Sequence, residues 1–184
     1  MKIVNYPHPA LRVKAKPVER IDGDIQKAAA QMLELMHKHE GLGLAAPQVA
    51  LDAQLLVLTF QKSGEDAPRE FVAINPVLVE TKGSAVNDRE GCLSFPGLYQ
   101  NVRRFKTVVV QFYNLNSELI QMECSDIAAR LWQHEIDHLQ GTLFIDRMGS
   151  LGLHRSQKDL EKFIADFEKA KRKGDIPPGT EPRL

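Results

Sequence analysis

Residues 134 to 138 read His-Glu-Ile-Asp-His, and this spacing commits one stretch of chain to a helix with a ligand-bearing face. At about 3.6 residues per turn, side chains four apart lie roughly 40° from one another around the axis, so both imidazoles can reach a single ion. Glu135 points to one side of that pair, where a carboxylate can act as general base on a water activated by a metal. Stepping back from His134 by three and seven gives Leu131 and Ile127, and stepping forward by seven gives Gly141. The histidines are therefore expected to share a buried face with apolar or small residues. An imidazole there needs a partner, because an unpaired buried polar group costs about 1 to 3 kcal/mol. Ser125 followed by Asp126 predicts the helix N-cap, and Gly141 predicts its stop.

A catalytic site of this kind needs a third protein ligand and a coordination position left open for water. The extended signature HExxHxxGxxH would put a histidine at 144, where this chain has Phe144, although Gly141 matches. Glu161 or Glu168 on a following helix could be offered in its place, each with the plainer reading of a solvated charge. The better donor lies upstream in 90–94, where Cys92 stands between a glycine and a leucine beside the turn-forming Phe95, Pro96 and Gly97. Cys124 reads as a small buried hydrophobe. With only two cysteines the chain has no disulfide framework, which suits free thiols in a reducing compartment. A third segment, 41–48 (GLGLAAPQ), follows an amphipathic helix with small residues that let backbone approach something closely. Its Gln48 amide is a ready oxyanion donor. The segment lacks the Lys-Ser/Thr of a phosphate loop and the spacing of a dinucleotide fingerprint.

The three segments 41–48 (GLGLAAPQ), 90–94 (EGCLS) and 133–141 (QHEIDHLQG), in this order and at these separations, resemble the three signature motifs of the peptide deformylases. The likeness runs from 6–12 (YPHPALR) to 143–146 (LFID). It implies that Cys92, His134 and His138 hold one divalent metal with water as fourth ligand. Ferrous iron is favoured, and zinc, nickel or cobalt also suit a thiolate and two imidazoles. It implies that Glu135 takes the water's proton and that Gln48 and the Leu93 backbone N–H hold the tetrahedral oxyanion. Glu135 would finally pass its proton to the departing amine, releasing formate from N-formylmethionyl nascent peptides. Leu42 and Gly43 resemble the edge along which the peptide lies as an added strand, with Gly91 also expected to touch substrate. Ile127, Leu131 and Arg130 should line the methionine pocket, Arg130 as a wall residue whose charge reaches water. Trp132 is bulkier than expected there. Glu90 and Arg104 should pair and brace the Gln48 and Cys92 loops. A metallopeptidase using the same HExxH base, and a closed structural or redox metal site, are the competing readings.

At 184 residues, 43% hydrophobic and 26% charged, the chain can bury one core, so 1–184 is expected to be a single catalytic domain. Twenty-four basic residues against 24 acidic ones argue against a general nucleic-acid binder, and no apolar run approaches the ~20 residues needed to cross a membrane. No repeat and no targeting segment is expected. A bacterial cytoplasm fits, as does a processed organellar enzyme. A first helix is predicted over 24–39, started near Asp22 or Asp24, with Ile25, Ala28, Ala29, Met32 and Met36 on one face. Strands are predicted at 55–60, 70–74, 77–80, 106–113 and 118–123, with a loop at 62–69. A last helix is predicted over 157–173, and an extended tail from about 174. Mostly antiparallel sheets around a buried central helix make an α+β fold. The last helix ends in Lys169, Lys171, Arg172 and Lys173. These suit its dipole, and they could also dock the enzyme on the ribosome.

Overall fold

In a computed structural model that describes residues 1–61 and 66–184, the chain is α+β, with one five-stranded antiparallel sheet and three helices. Helix α1 (Gly23–Lys38) starts where the Asp22 side chain accepts the N–H groups of Asp24 and Ile25. Strands β1 (Gly43–Ala45), β2 (Leu55–Phe60), β3 (Arg69–Gly91), β4 (Tyr99–Tyr113) and β5 (Leu119–Ser125) pair in chain order. They are followed by α2 (Asp126–Leu139) and α3 (Ser150–Lys173).

The alternation along β2 explains the layering. Leu56, Leu58 and Phe60 turn to one side, where they meet Val108, Val110 and Phe112 of β4 and Ala129 and Trp132 of α2. Leu55 and Val57 turn to the other, against Met32 and Met36 of α1. The sheet is thus covered on both faces, which is why β2 is almost wholly apolar. A third cluster gathers Tyr6, Leu11, Phe95, Leu98 and Phe144, and Leu160, Phe163 and Ile164 of α3 pack on it. Phe95 sits at its centre, with Phe144 at 5.1 Å and Phe163 at 5.7 Å edge to face.

Several sequence expectations are corrected. The predicted strands 70–74 and 77–80 are one strand, β3, that changes register between Ile74 and Val77. Asn75 there has φ 50°, and Pro76 brings no donor to the ladder, so pairing slips without ending. The second half of β3 and the first half of β4 carry charged and small residues with no apolar alternation, and they escaped notice for that reason. Of the predicted loop 62–69, residues 62–65 lie outside the described residues, and Arg69 already belongs to β3. The last helix begins seven residues earlier than predicted. Ser125 does sit at the start of α2, but its hydroxyl is 3.1 Å from Thr107 Oγ1 and makes no cap bond. Gly141 follows the end of α2 with φ 71°, a left-handed conformation suited to glycine. The tail beyond Gly174 folds back far enough for the Arg183 N–H to donate to the Pro7 carbonyl at 2.9 Å.

Candidate active site

Three side chains from two elements converge on one point. Cys92 follows directly on the end of β3, while His134 and His138 project from α2. The ligand atoms of these three residues all lie within 4.8 Å of one another. Cys92 Sγ is 3.2 Å from His138 Nε2, and the two imidazole rings are 4.9 Å apart and nearly perpendicular. Both histidines are buried, and Cys92 is half-buried. Burial pulls both imidazoles toward the neutral form. At His134 the hydrogen bonds to Cys92 and Glu90 outweigh burial and raise the pKa well above its ordinary value. At His138 burial and the neighbouring His134 act together to lower it well below. A thiol and two imidazoles thus converge within reach of one ion, a donor set suited to a metal.

His134 is oriented from behind. Its Nδ1 is 3.0 Å from Glu90 Oε2, which fixes the ring and leaves Nε2 for the cluster. Glu90 is itself held by Arg104, through Nε at 3.0 Å and Nη2 at 3.2 Å, and by Arg130 Nη1 at 2.7 Å. Burial would raise the Glu90 pKa, yet the bonds to His134 and Arg104 bring it down to about 2. Arg104 also pairs with Asp137, which Arg147 holds from the other side at 2.8 Å.

Arg130 departs from expectation. Its charge does not reach water: the residue is 7% exposed, and besides Glu90 it donates to the Val102 carbonyl at 2.8 Å and the Val86 carbonyl at 3.0 Å. A carboxylate and converging carbonyls give a guanidinium all it needs inside the protein. Glu90 and Arg104 pair as expected, but they brace His134 and not the Gln48 loop. The Gln48 loop has its own support. Gln48 Oε1 accepts the Ala45 N–H at 2.8 Å, which turns the amide's donor end to Cys92 Sγ and Ser94 Oγ, each at 3.3 Å.

Glu135 is 3% exposed, and its Oε2 has no hydrogen-bond partner among the described residues. Burial raises its pKa to about 7. Gly43 lies against it so closely that a Cβ there would sit 2.3 Å from Oε1. The Leu93 N–H likewise has no acceptor among the described residues.

A cleft of about 460 Å³ gathers Leu42, Gly43, Gln48, Gly91, Cys92, Leu93, Ile127, Arg130, Leu131, His134 and Glu135, and His138 reaches it only through Cys92. Ile127 was expected on a buried face but is 54% exposed, because that side of α2 looks into the open cleft. Trp132 does not touch the cleft; it faces the sheet, 5.0 Å from Phe112. Sequence reasoning missed Ser94, Asp137, and the pair Arg89 and Tyr99 at the cleft mouth. Ser94 and Asp137 lie inside recognised motifs, so proximity to a motif was the available signal.

A family model described as polypeptide deformylase matches residues 1–153. The chain belongs to the polypeptide deformylase family. It is 47% identical to a peptide deformylase of Borreliella burgdorferi over 146 residues, 79% of this chain and 86% of that protein. To that of Rhodopirellula baltica it is 38% identical over 176 residues, 96% and 87% of the two chains. The crystal structure of Arabidopsis thaliana peptide deformylase 1B bound to an inhibitor superposes with a TM-score of 0.86 at 37% identity, covering 100% of this chain and 98% of that one. This deformylase is a metal-dependent hydrolase, and Cys92, His134 and His138 form a cluster that can hold a metal ion, of the Cys/His/His kind typical of deformylases.

Proposed function

We propose that the chain, acting as one catalytic domain over 1–184, removes the formyl group from N-formylmethionyl ends of newly made polypeptides and releases formate. The observation that carries this reading is the convergence of Cys92, His134 and His138 beside a buried Glu135 whose Oε2 lacks a partner among the described residues. One thiolate and two imidazoles, the latter oriented by Glu90, fit a divalent ion that keeps an open position. When bound, the ion acts as a Lewis acid and lowers the pKa of water beside it. Ferrous iron is the favoured metal, with zinc, nickel and cobalt suited by the same donors. Metal content after anaerobic purification, correlated with formate release, decides among them.

Glu135 takes the proton of the attacking water and returns it to the departing amine. A carboxyl lifted to about 7 by burial is poised for both transfers near neutral pH. Gln48 Nε2 and the Leu93 N–H donate to the formyl oxygen as it gains charge, a contribution of about 3 to 4 kcal/mol in comparable acyl-transfer sites. The peptide lies along β1, which stands at the edge of the sheet and can accept another strand. Leu42, Gly43 and Gly91 flank it, and Ile127, Leu131 and the buried Arg130 bound the methionine side chain.

Formyl-Met-Ala-Ser separates the readings. A deformylase releases formate and leaves peptide bonds intact, a peptidase cleaves the chain, and a structural metal site does neither. Glu135→Gln should keep its metal while turnover falls about 10² to 10⁴-fold; comparable activity in that variant contradicts the base assignment.

The enzyme works in a reducing compartment, in keeping with its free thiols: a bacterial cytoplasm or, for a processed organellar enzyme, the interior of the organelle. Its nascent-chain substrate also suggests ribosome docking through α3. Lys169, Arg172 and Lys173 are exposed at the end of that helix, whereas Lys171 is engaged by Glu181 at 2.6 Å. Reversing the three exposed charges tests docking without disturbing Phe163, and unchanged ribosome co-sedimentation removes the idea.

A further inference from the structure

The second half of β3 carries a cation that the reaction as derived does not use. Side chains two apart on a strand share a face, so Arg89 projects on the same side as Gly91, whereas Glu90 turns inward to Arg104, Arg130 and His134. Tyr99 stands opposite Gly91 in the β3–β4 register, and its ring takes the space of the missing side chain: a Cβ on Gly91 would lie 2.3 Å from the ring. The Arg89 guanidinium lies over that ring, 4.7 Å from its centre. Both residues line the mouth of the cleft, and Tyr99 is 53% exposed. Among the described residues Arg89 has no ion pair. Glu90 is occupied, and Asp88 Oδ1 accepts the Arg89 backbone N–H at 2.7 Å from the other face of the strand. Glu40, just beyond the end of α1, lines the same cleft, so its lining carries charges of both signs.

Resting on the reading of this cleft as the deformylase substrate site, we infer that Arg89, steadied by Tyr99, selects for an acidic side chain at one of the first positions after the formylmethionine. The ring holds the guanidinium in place at the mouth, so less side-chain freedom is lost when a carboxylate meets it than with a free arginine. Glu40, elsewhere in the same lining, confines the preference to the position that passes Arg89.

The test is the rate of formate release from formyl-Met-Ala-Ala-Ala and from versions with Asp or Lys at each alanine in turn. The Asp-to-Lys ratio of kcat/KM is taken within each enzyme, so any change in overall activity cancels. At one position the ratio should be about fivefold, the size of an exposed charge pair, and it should reside in KM. Arg89→Gln should bring it to about one, and Arg89→Glu should invert it. About 0.5 M salt should suppress it. Tyr99→Phe should keep the ratio, and Tyr99→Ala should lower it. A ratio near one at all three positions, or one unaltered by both Arg89 variants, overturns this inference alone. Failure of the wild-type protein to release formate from the all-alanine peptide overturns the site reading and this inference with it.

Discussion

Replacing Gly43 by alanine tests whether the position of Glu135 is set by packing. The added Cβ would lie 2.3 Å from Glu135 Oε1, 2.8 Å from Cδ and 2.9 Å from Cγ, too close for any of the three. Neither side can yield cheaply. Glu135 is 3% exposed on a helix whose far face is packed into the sheet, and Gly43 is held by pairing with Leu58 of β2 and by the bond of 2.9 Å from the Thr59 N–H to the carbonyl of Leu42, the residue before it. Overpacking of this kind costs about 1 to 3 kcal/mol, which for a chain of this size lowers Tm by about 2 to 12 °C. The carboxylate must move by about 1 Å, and a displacement of that size costs about 10²-fold in rate. Cys92, His134 and His138 are not touched, so the metal should remain. Formate release, metal content and a thermal melt are measured on one preparation, beside Gly23→Ala, where a Cβ meets nothing within 4 Å and no loss is expected. A Gly43→Ala enzyme within about threefold of wild-type activity would refute the claim that backbone contact sets the base.

The Glu90 carboxyl, lowered from 4.5 to about 2 in the folded chain, makes the unfolded state bind its proton first. Stability should therefore fall as pH drops through that window, by about 3 kcal/mol in all, and in urea titrations of chelator-treated protein Glu90→Gln should flatten the slope. Arg130→Met leaves the Val86 and Val102 carbonyls without their donor and strips one cation from Glu90; a loss of about 3 kcal/mol is expected by denaturant unfolding. Arg130→Lys should recover only part of it, since an ammonium cannot span those partners as the planar fork does. Gln133 bridges to Phe105 in both directions, accepting its N–H at 3.0 Å and donating to its carbonyl at 2.9 Å. Gln133→Leu should cost about 2 to 4 kcal/mol by the same measurement, because two backbone groups lose their partners.

The parts of the fold that were legible in the sequence are those whose signal is local. Asp22 caps α1 because a carboxylate there can reach two free N–H groups, a property of four consecutive residues. The apolar run of β2 and the alternation in the second half of β4 mark burial directly. The distal half of the β3–β4 hairpin gave no such mark. Residues such as Asn87, Asp88, Asn101 and Arg103 are in strands because each is paired with its opposite number across the hairpin, and pairing is a fact about two segments. The misjudged Ser125 hydroxyl has the same origin: its partner Thr107 lies 18 residues away, on the neighbouring strand.

The metal ligands were legible because each stands in a motif whose spacing has a chemical meaning, and His134 and His138 share one helix turn. The environment of Arg130 was not. From sequence the residue lies one position beyond the apolar Ala128 and Ala129 and next to Leu131, so an outward-reaching charge is the economical guess. What defeats that guess is a coincidence of three groups from two strands. Glu90 arrives from the end of β3, the Val86 carbonyl from earlier in the same strand, and the Val102 carbonyl from β4. No one of them would justify burying a guanidinium, since a single partner leaves most of its five donors bare and the desolvation cost uncovered. Together they make burial tolerable, and the result is a cation placed behind the carboxylate that orients His134. The hairpin that local patterning failed to reveal is therefore also the element that supplies the support of the metal site. Misreading the one entailed misreading the other.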